Sequence, residues 1–130
     1  MKIIFTNGCF DVVHRGHLRL LQYCKSIGNK VVVGINSDAS IKKLKGDNRP
    51  VNNQEDRKLL LESLVYVDEV IIFNEETPYN LIKCIKPDII VKGGDYSIEE
   101  VVGNDLAKII IFETIDGYST TEILQNIANR

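Results

Sequence analysis

Tryptophan is absent from this chain of 130 residues, and methionine, histidine and proline number only one, two and three. Cysteine is scarce too. Cys9, Cys24 and Cys84 are odd in number, scattered and without Cys-x-x-Cys spacing, which argues against a disulfide framework or a zinc site and points to a reduced, cytoplasmic protein. Neither sign of charge is in excess: 16 Lys and Arg face 18 Asp and Glu, for a formal net charge of -2. That balance argues against bulk attraction to nucleic acid or to a membrane surface, so any anion site has to be a local gathering of basic groups. No apolar run approaches the roughly 20 residues needed to cross a bilayer. Met1-Lys2 leads straight into a strand pattern, with no signal-peptide signature. Two common nucleotide signatures are missing as well: no Gly-x-Gly-x-x-Gly follows the first strand, and there is no Gly-x-x-x-x-Gly-Lys-Ser/Thr loop.

What is present is ordinary core material, 44% hydrophobic, with no repeat, linker or low-complexity tract, so residues 1–130 read as a single domain. Five runs rich in Ile and Val, at 2–6, 31–36, 69–73, 88–92 and 108–112, do not alternate with polar residues. Such runs are strands covered on both faces, as in a parallel sheet. Helical patterns lie between them. Residues 17–27 place Leu20, Leu21, Cys24 and Ile27 on one face, and 54–66 group Leu60, Leu61, Leu64 and Val65. A shorter helix at 79–86 stops before Pro87, and a last one starts at Ser119-Thr120-Thr121. The alternation predicts an α/β fold: a doubly wound, five-stranded parallel sheet of Rossmann-like form.

Both histidines fall in one turn, Asn7-Gly8-Cys9-Phe10-Asp11-Val12-Val13-His14-Arg15-Gly16-His17, between the first strand and the first helix. In an open α/β sheet ligands bind at the carboxyl ends of strands, and a helix start offers free N–H groups to phosphate. Two imidazoles converging across Gly16, whose glycine permits close approach and unusual dihedrals, suit one anion. Cys9 reads as a small residue filling space beneath the turn. Asp11 either organises the turn or helps to hold a metal.

Three further blocks carry polar chemistry, and a lone arginine joins them. Lys42, Lys43, Lys45 and Arg49 read as a basic loop after the second strand, able to close on a triphosphate. Arg57 stands in the first turn of a helix, where it opposes the dipole, and a phosphate target would explain it. Lys92-Gly93-Gly94-Asp95 ends the fourth strand; its glycines let backbone lie against a base or ribose, and Asp95 accepts from a hydroxyl or amine. Ser119, Thr120 and Thr121 offer hydroxyls and N–H groups to an anion at a helix start.

The run from Asn7 to Asp11 with His14-Arg15-Gly16-His17 resembles the signature of the cytidylyltransferase-like nucleotidyltransferases, which transfer NMP from an NTP to a phosphorylated acceptor and release pyrophosphate. The likeness covers nearly the whole chain. Asn36 through Asn52 and Lys92-Gly93-Gly94-Asp95-Tyr96 are similar to the heptose 1-phosphate adenylyltransferases, whereas glycerol 3-phosphate cytidylyltransferases tend to carry Gly-Asp-Asp-Trp in the latter place. The resemblance implies ATP and D-glycero-D-manno-heptose 1-phosphate as substrates, Mg²⁺ as cofactor, a homodimer, and a place in carbohydrate biosynthesis toward lipopolysaccharide or capsule. It assigns His14, His17, Lys43, Lys45 and Arg57 to catalysis. It assigns nucleotide binding to Thr6, Asn7, Gly8, Cys9, Phe10, Asp11 and Gly16, to Lys92, Gly93, Gly94 and Asp95, and to Ser119, Thr120 and Thr121. The sequence departs from that pattern in a shorter stretch between Tyr96 and Lys108, in having no basic residue in Glu113-Thr114-Ile115-Asp116, and in carrying no sugar kinase module ahead of the domain. The alternatives are a glycerol 3-phosphate cytidylyltransferase using CTP and a nucleotide-binding module without turnover.

Overall fold

The computed structural model describes residues 1–113; the expected last helix, with Ser119, Thr120 and Thr121, lies outside the described residues. Within them the chain runs β1 (Ile3–Gly8), α1 (Arg15–Ile27), β2 (Lys30–Asn36), α2 (Asp38–Lys45), α3 (Gln54–Glu62), β3 (Glu69–Phe73), α4 (Tyr79–Ile85), β4 (Ile89–Gly93) and β5 (Lys108–Phe112), with a single 3-10 turn at Ile98–Glu100. The five strands form one sheet in the order β3-β2-β1-β4-β5. Every pairing is parallel.

Two apolar layers explain why these runs are strands. Ile4, Val31, Val33, Ile35, Val70, Ile89 and Val91 pack beneath Leu20, Leu21 and Cys24 of α1 and Leu61 of α3. On the other face Phe5, Val32, Ile90 and Ile109 pack against Ile82 of α4 and Val101. Both faces are thus covered, as the unbroken Ile and Val runs require.

The order reverses at β1, with β2 on one flank and β4 on the other, so the topological switch point lies between β1 and β4. There the pairing is short. β1 matches β2 at six positions, from Ile3↔Lys30 to Gly8↔Ile35, but matches β4 only at Ile4↔Ile89 and Phe5↔Ile90. The two strands are unpaired beyond that point, at the place where an open α/β sheet has its ligand crevice.

Two expectations about helices need correction. Residues 38–45 are a helix rather than a loop: Ser37 caps it by accepting from Ser40 N–H, and Ile41 is its buried anchor. With so few apolar residues the segment shows no legible period. The second correction concerns α3, which stops at Glu62 rather than continuing to residue 66. Ser63 closes it, its N–H and hydroxyl both bonding back to the Leu59 carbonyl. Leu61 is therefore buried and Leu64 packs beside the core, while Leu60 and Val65 are 45% and 82% exposed.

Candidate functional site

The β1–α1 turn is built around a backbone irregularity. Phe10 adopts φ 48°, the left-handed region that side chains rarely occupy, with its ring buried in the core. That ring lies so close to Gly8 that a Cβ there would meet it at 3.2 Å. A side chain at Gly8 would have to push the Phe10 ring aside by a few tenths of an ångström, and that ring is the apolar anchor of the turn. Thr6 is likewise wholly buried, and its hydroxyl has no hydrogen-bond partner among the described residues. Of the two expected nucleotide-binding residues Thr6 and Phe10, the structure places both side chains inside the fold, which leaves their backbone to face the turn.

The histidines form a reciprocal cap on α1. His14 is the N-cap, its Nδ1 accepting from Gly16 N–H at 3.1 Å. His17 Nδ1 accepts from the His14 N–H at 3.2 Å. The two rings lie 3.9 Å apart between centroids. Because each Nδ1 accepts a backbone proton, each neutral ring carries its own proton on Nε2. Burial pushes His17 down to about 4, helped by its neighbour His14, and burial also lowers His14. At neutral pH the pair is two uncharged N–H donors at a helix N-terminus whose first turn holds no acidic residue. Gly16 is buried in that turn and supplies the N–H that His14 accepts; it has no positive φ, so the unusual dihedral expected of it is absent.

Asp11 is an organiser. Its side chain is fully buried, and its carboxylate accepts from Arg49 Nε at 2.7 Å, from Val51 N–H at 2.8 Å and from Asn52 N–H at 2.9 Å. These hydrogen bonds hold its pKa below the ordinary carboxylate value against the opposing effect of burial. Arg49 is thereby anchored through its Nε.

Arg57 was expected to reach for phosphate, and the structure places it otherwise. It is 2% exposed. Nε donates to the Asn52 carbonyl, Nη1 to the carbonyls of Cys9 and Asn36, and Nη2 to Asp38 at 2.9 Å. One guanidinium thus ties together the ends of β1 and β2, the start of α2 and the segment before α3. Asn36, Asp38 and Asn52 are the partners that the sequence did not single out. Their signal was position alone: a carboxyl strand end for the first two, and the run before a helix cap for the third.

Other cations stay without a carboxylate. Lys43 and Lys45 lie exposed in the last turn of α2, where the helix dipole favours them. They make no ion pair among the described residues. Lys45, Arg57 and Arg49 all act on Cys9, offsetting part of the rise that burial imposes on its thiol. That thiol therefore stays protonated and is no nucleophile; it sits 3.9 Å from Asn36 Oδ1. On β4, Lys92 is half-buried, with Nζ 5.2 Å from the centre of the Tyr96 ring. Burial lowers its pKa, and it lies close enough to Cys9 to feel that sulfur. After Gly93, Gly94 turns the chain at φ 121° while donating its N–H to the Phe112 carbonyl. A Cβ at Gly94 would meet Tyr96 at 2.8 Å, so the turn is glycine-dependent. Asp95 beyond it is exposed. Asn7 is half-buried near the carboxyl end of β1, beside the crevice.

Comparison with known proteins places these features. The cytidylyltransferase-like family model matches residues 5–126. The chain is 56% identical over 127 residues to the bifunctional protein HldE of a Nitratiruptor species, covering 97% of this chain and 28% of that protein. It is 54% identical over 127 residues to HldE of Wolinella succinogenes, covering 97% and 27%. The chain thus spans little more than a quarter of the length of these relatives. Among solved structures, the lipopolysaccharide core biosynthesis protein from Thermoplasma volcanium superposes with TM-score 0.77 at 27% identity, covering 89% of this chain and 99% of that one. A pantoate-beta-alanine ligase from Francisella tularensis shares the fold, with TM-score 0.69 at 19% identity over 96% of this chain and 65% of that one.

Proposed function

Since this chain belongs to the cytidylyltransferase-like family, we propose that it transfers AMP from ATP to the phosphate of a sugar phosphate, D-glycero-D-manno-heptose 1-phosphate by resemblance, with release of pyrophosphate. The observation that carries the reading is the reciprocal histidine cap: two neutral N–H donors fixed at a helix N-terminus beside the switch-point crevice.

An acceptor phosphate oxygen attacks the α-phosphorus. One P–O bond forms, the bond to the β-phosphate breaks, and pyrophosphate leaves with the electron pair. The nucleophile is already anionic at neutral pH, so no general base is required. Catalysis is then positioning plus neutralisation of charge. The Nε2 protons of His14 and His17 serve the α-phosphate oxygens, and Lys43 and Lys45 serve the departing pyrophosphate. Arg49, Arg57 and Asp11 hold the frame that sets these groups in place.

Magnesium would supply charge neutralisation to the triphosphate here, a role that would need few ligands from the protein. The chemistry of the donor set supports that role over a protein cage. Asp11, the carboxylate of the turn, has both oxygens engaged, and the described residues contain no group of three or more metal-ligating side chains. A homodimer in the cytoplasm, acting on small molecules and supplying lipopolysaccharide or capsule, completes the proposal. The name of the Thermoplasma volcanium relative agrees with that destination.

The test is a matrix of four NTPs against a panel of sugar and polyol phosphates, read by pyrophosphate release. ATP with a heptose 1-phosphate is expected to give the highest kcat/KM. Two mismatched polar contacts in a base pocket, at about 1–3 kcal/mol each, separate ATP from CTP by roughly 30-fold or more. Faster turnover of CTP with glycerol 3-phosphate would shift the assignment to a cytidylyltransferase, and binding without turnover would leave a nucleotide-binding module.

A further inference from the structure

Lys92 occupies a position that none of the scaffold cations shares. It lies on β4 beyond Ile90, the last β4 residue paired with β1, and is still registered on its other side with Ile111 of β5. It therefore sits at the wall of the crevice, where β1 and β4 are unpaired. Strand alternation puts it on the face of Ile90 and Phe5, which is the α4 face and not the α1 face. Asn7, two residues beyond Phe5, stands on the same face by the same alternation. Lys92 has no carboxylate partner among the described residues; its neighbours are the Tyr96 ring and the Cys9 thiol. A half-buried ammonium without a counter-charge is costly unless an anion completes it.

The sheet order decides which anion. The lysines of α2 follow β2, on one flank of β1, and Lys92 stands on β4, on the other flank. An in-line displacement at phosphorus brings the entering oxygen in opposite the leaving one. With the pyrophosphate drawn toward Lys43 and Lys45, the entering phosphate comes from the β4 side. We propose that Lys92 is the ligand of the acceptor's phosphate, holding the attacking group in the β1–β4 crevice against the repulsion of the triphosphate. This rests on the transferase reading above. Lysine suits the task because a compact ammonium neutralises charge without fixing a bidentate geometry. The attacking phosphate then keeps the freedom to turn one oxygen toward the α-phosphorus. No proton or electron is exchanged with Lys92; it supplies charge and a hydrogen bond while the P–O bonds exchange.

The experiment compares the wild type with Lys92→Met and Lys92→Arg. Steady-state pyrophosphate release is measured with ATP and acceptor varied separately. Lys92→Met is expected to raise the acceptor KM by about 10–100-fold, the loss of one charge-assisted hydrogen bond. The ATP KM should stay within about threefold by the same reasoning, since no ATP contact is lost. Lys92→Arg, which keeps the charge, should recover most of the loss. Removing an unpaired half-buried cation should leave the melting temperature of Lys92→Met unchanged or higher, so a kinetic loss is not unfolding. An unchanged acceptor KM, or an ATP KM raised as much as the acceptor's, overturns the assignment. Calorimetric titration of glycerol 3-phosphate and inorganic phosphate into the complex with α,β-methylene-ATP separates this subsite from the reaction itself. A wild type that turns over nothing refutes the transferase reading. In that case phosphate binding abolished by Lys92→Met still supports the subsite, whereas equal binding, or none to either protein, refutes it.

Discussion

Arg57 and Lys92 flank the same turn and both lie near Cys9, yet they live under opposite conditions. Arg57 is 2% exposed and spends its guanidinium on three backbone carbonyls and Asp38. Lys92 is half-buried with an aromatic ring and a neutral thiol for company. Arg49 follows Arg57, held by the Asp11 carboxylate at 2.7 Å. Lys43 and Lys45 follow Lys92, exposed and without an ion pair among the described residues. The site therefore contains two populations of positive charge. One is anchored to partners inside the protein and sets geometry. The other is left for an anion to complete. The planar fork of arginine, with five donors, suits the first task; the single mobile ammonium of lysine suits the second.

The comparison breaks most visibly at Arg57. Arg57→Met strands the carbonyls of Cys9, Asn36 and Asn52 and leaves Asp38 without its partner. Removing one side of such a buried arrangement costs about 3–5 kcal/mol, which for a domain of this size lowers Tm by roughly 10–20 °C. Thermal melts check this. A variant that melted like the wild type and lost only nucleotide affinity would move Arg57 into the ligand-facing group.

His17 stands between the two populations, with one nitrogen spent on the cap and the other carrying the donor proton. His17→Ala should lower kcat by roughly 10²–10³ with a modest change in KM, as for loss of an oxyanion donor. The lost cap bond should cost only about 1 kcal/mol of stability. Near-normal kcat would make His17 scaffold as well.

Lys43→Ala and Lys45→Ala sharpen the contrast from the other side. Each is expected to raise the KM for triphosphate by about 10-fold, one charge-assisted contact, with little change in Tm. The segment from Gly46 to Asn48 is exposed between two anchors, the C-cap contact of Gly46 to Lys42 and the pairing of Arg49 with Asp11. Proteolysis after Lys45 should slow when a non-hydrolysable triphosphate is bound. Equal cleavage in both states would count against closure over the nucleotide.

The fold was legible because five Ile- and Val-rich runs cannot be buried on both faces in any other way, and all five strands stand where those runs lie. Helix α2 was not legible because it buries only one large apolar residue, Ile41, so no period announces it. The histidine pair was legible because both members fall within one turn. The role of Arg57 was half legible. Its place in a first turn, unfavourable for a cation, signalled that something beyond the helix held it. What held it were carbonyls 48 and 21 residues away in sequence, and such contacts leave no local pattern. The same holds for Asp11, whose partners lie 38 to 41 residues further on. Motif reading finds charged residues near a site; burial and partners decide which of them face the ligand.

A pH dependence divides the site along the same line. His17 has a folded pKa of about 4 against an ordinary 6.5, lowered by burial and by His14. Between those values the unfolded chain binds more protons than the folded one, so stability rises with pH across that window and is lost on acidification. One proton corresponds to at most about 1.4 kcal/mol per pH unit. His14, lowered by burial, adds in the same direction. Asp11 acts lower down. Its folded pKa lies below 3.8 because Asn52, Val51 and Arg49 bond its charged form, so its contribution is present above 3.8 and lost as pH falls through the folded value. Asp68, held by Lys25, joins it in that acid window. Urea unfolding from pH 7 to 3 should therefore show two regions of slope. His17→Gln should flatten the one between about 6.5 and 4 and leave the acid one. Asp11→Asn should lower stability at neutral pH and weaken only the acid slope. A charged His17 in the free protein would reverse the first sign, with stability falling as pH rises through 7. That outcome would place His17 among the cations awaiting an anion, rather than as a neutral donor fixed in advance by its cap.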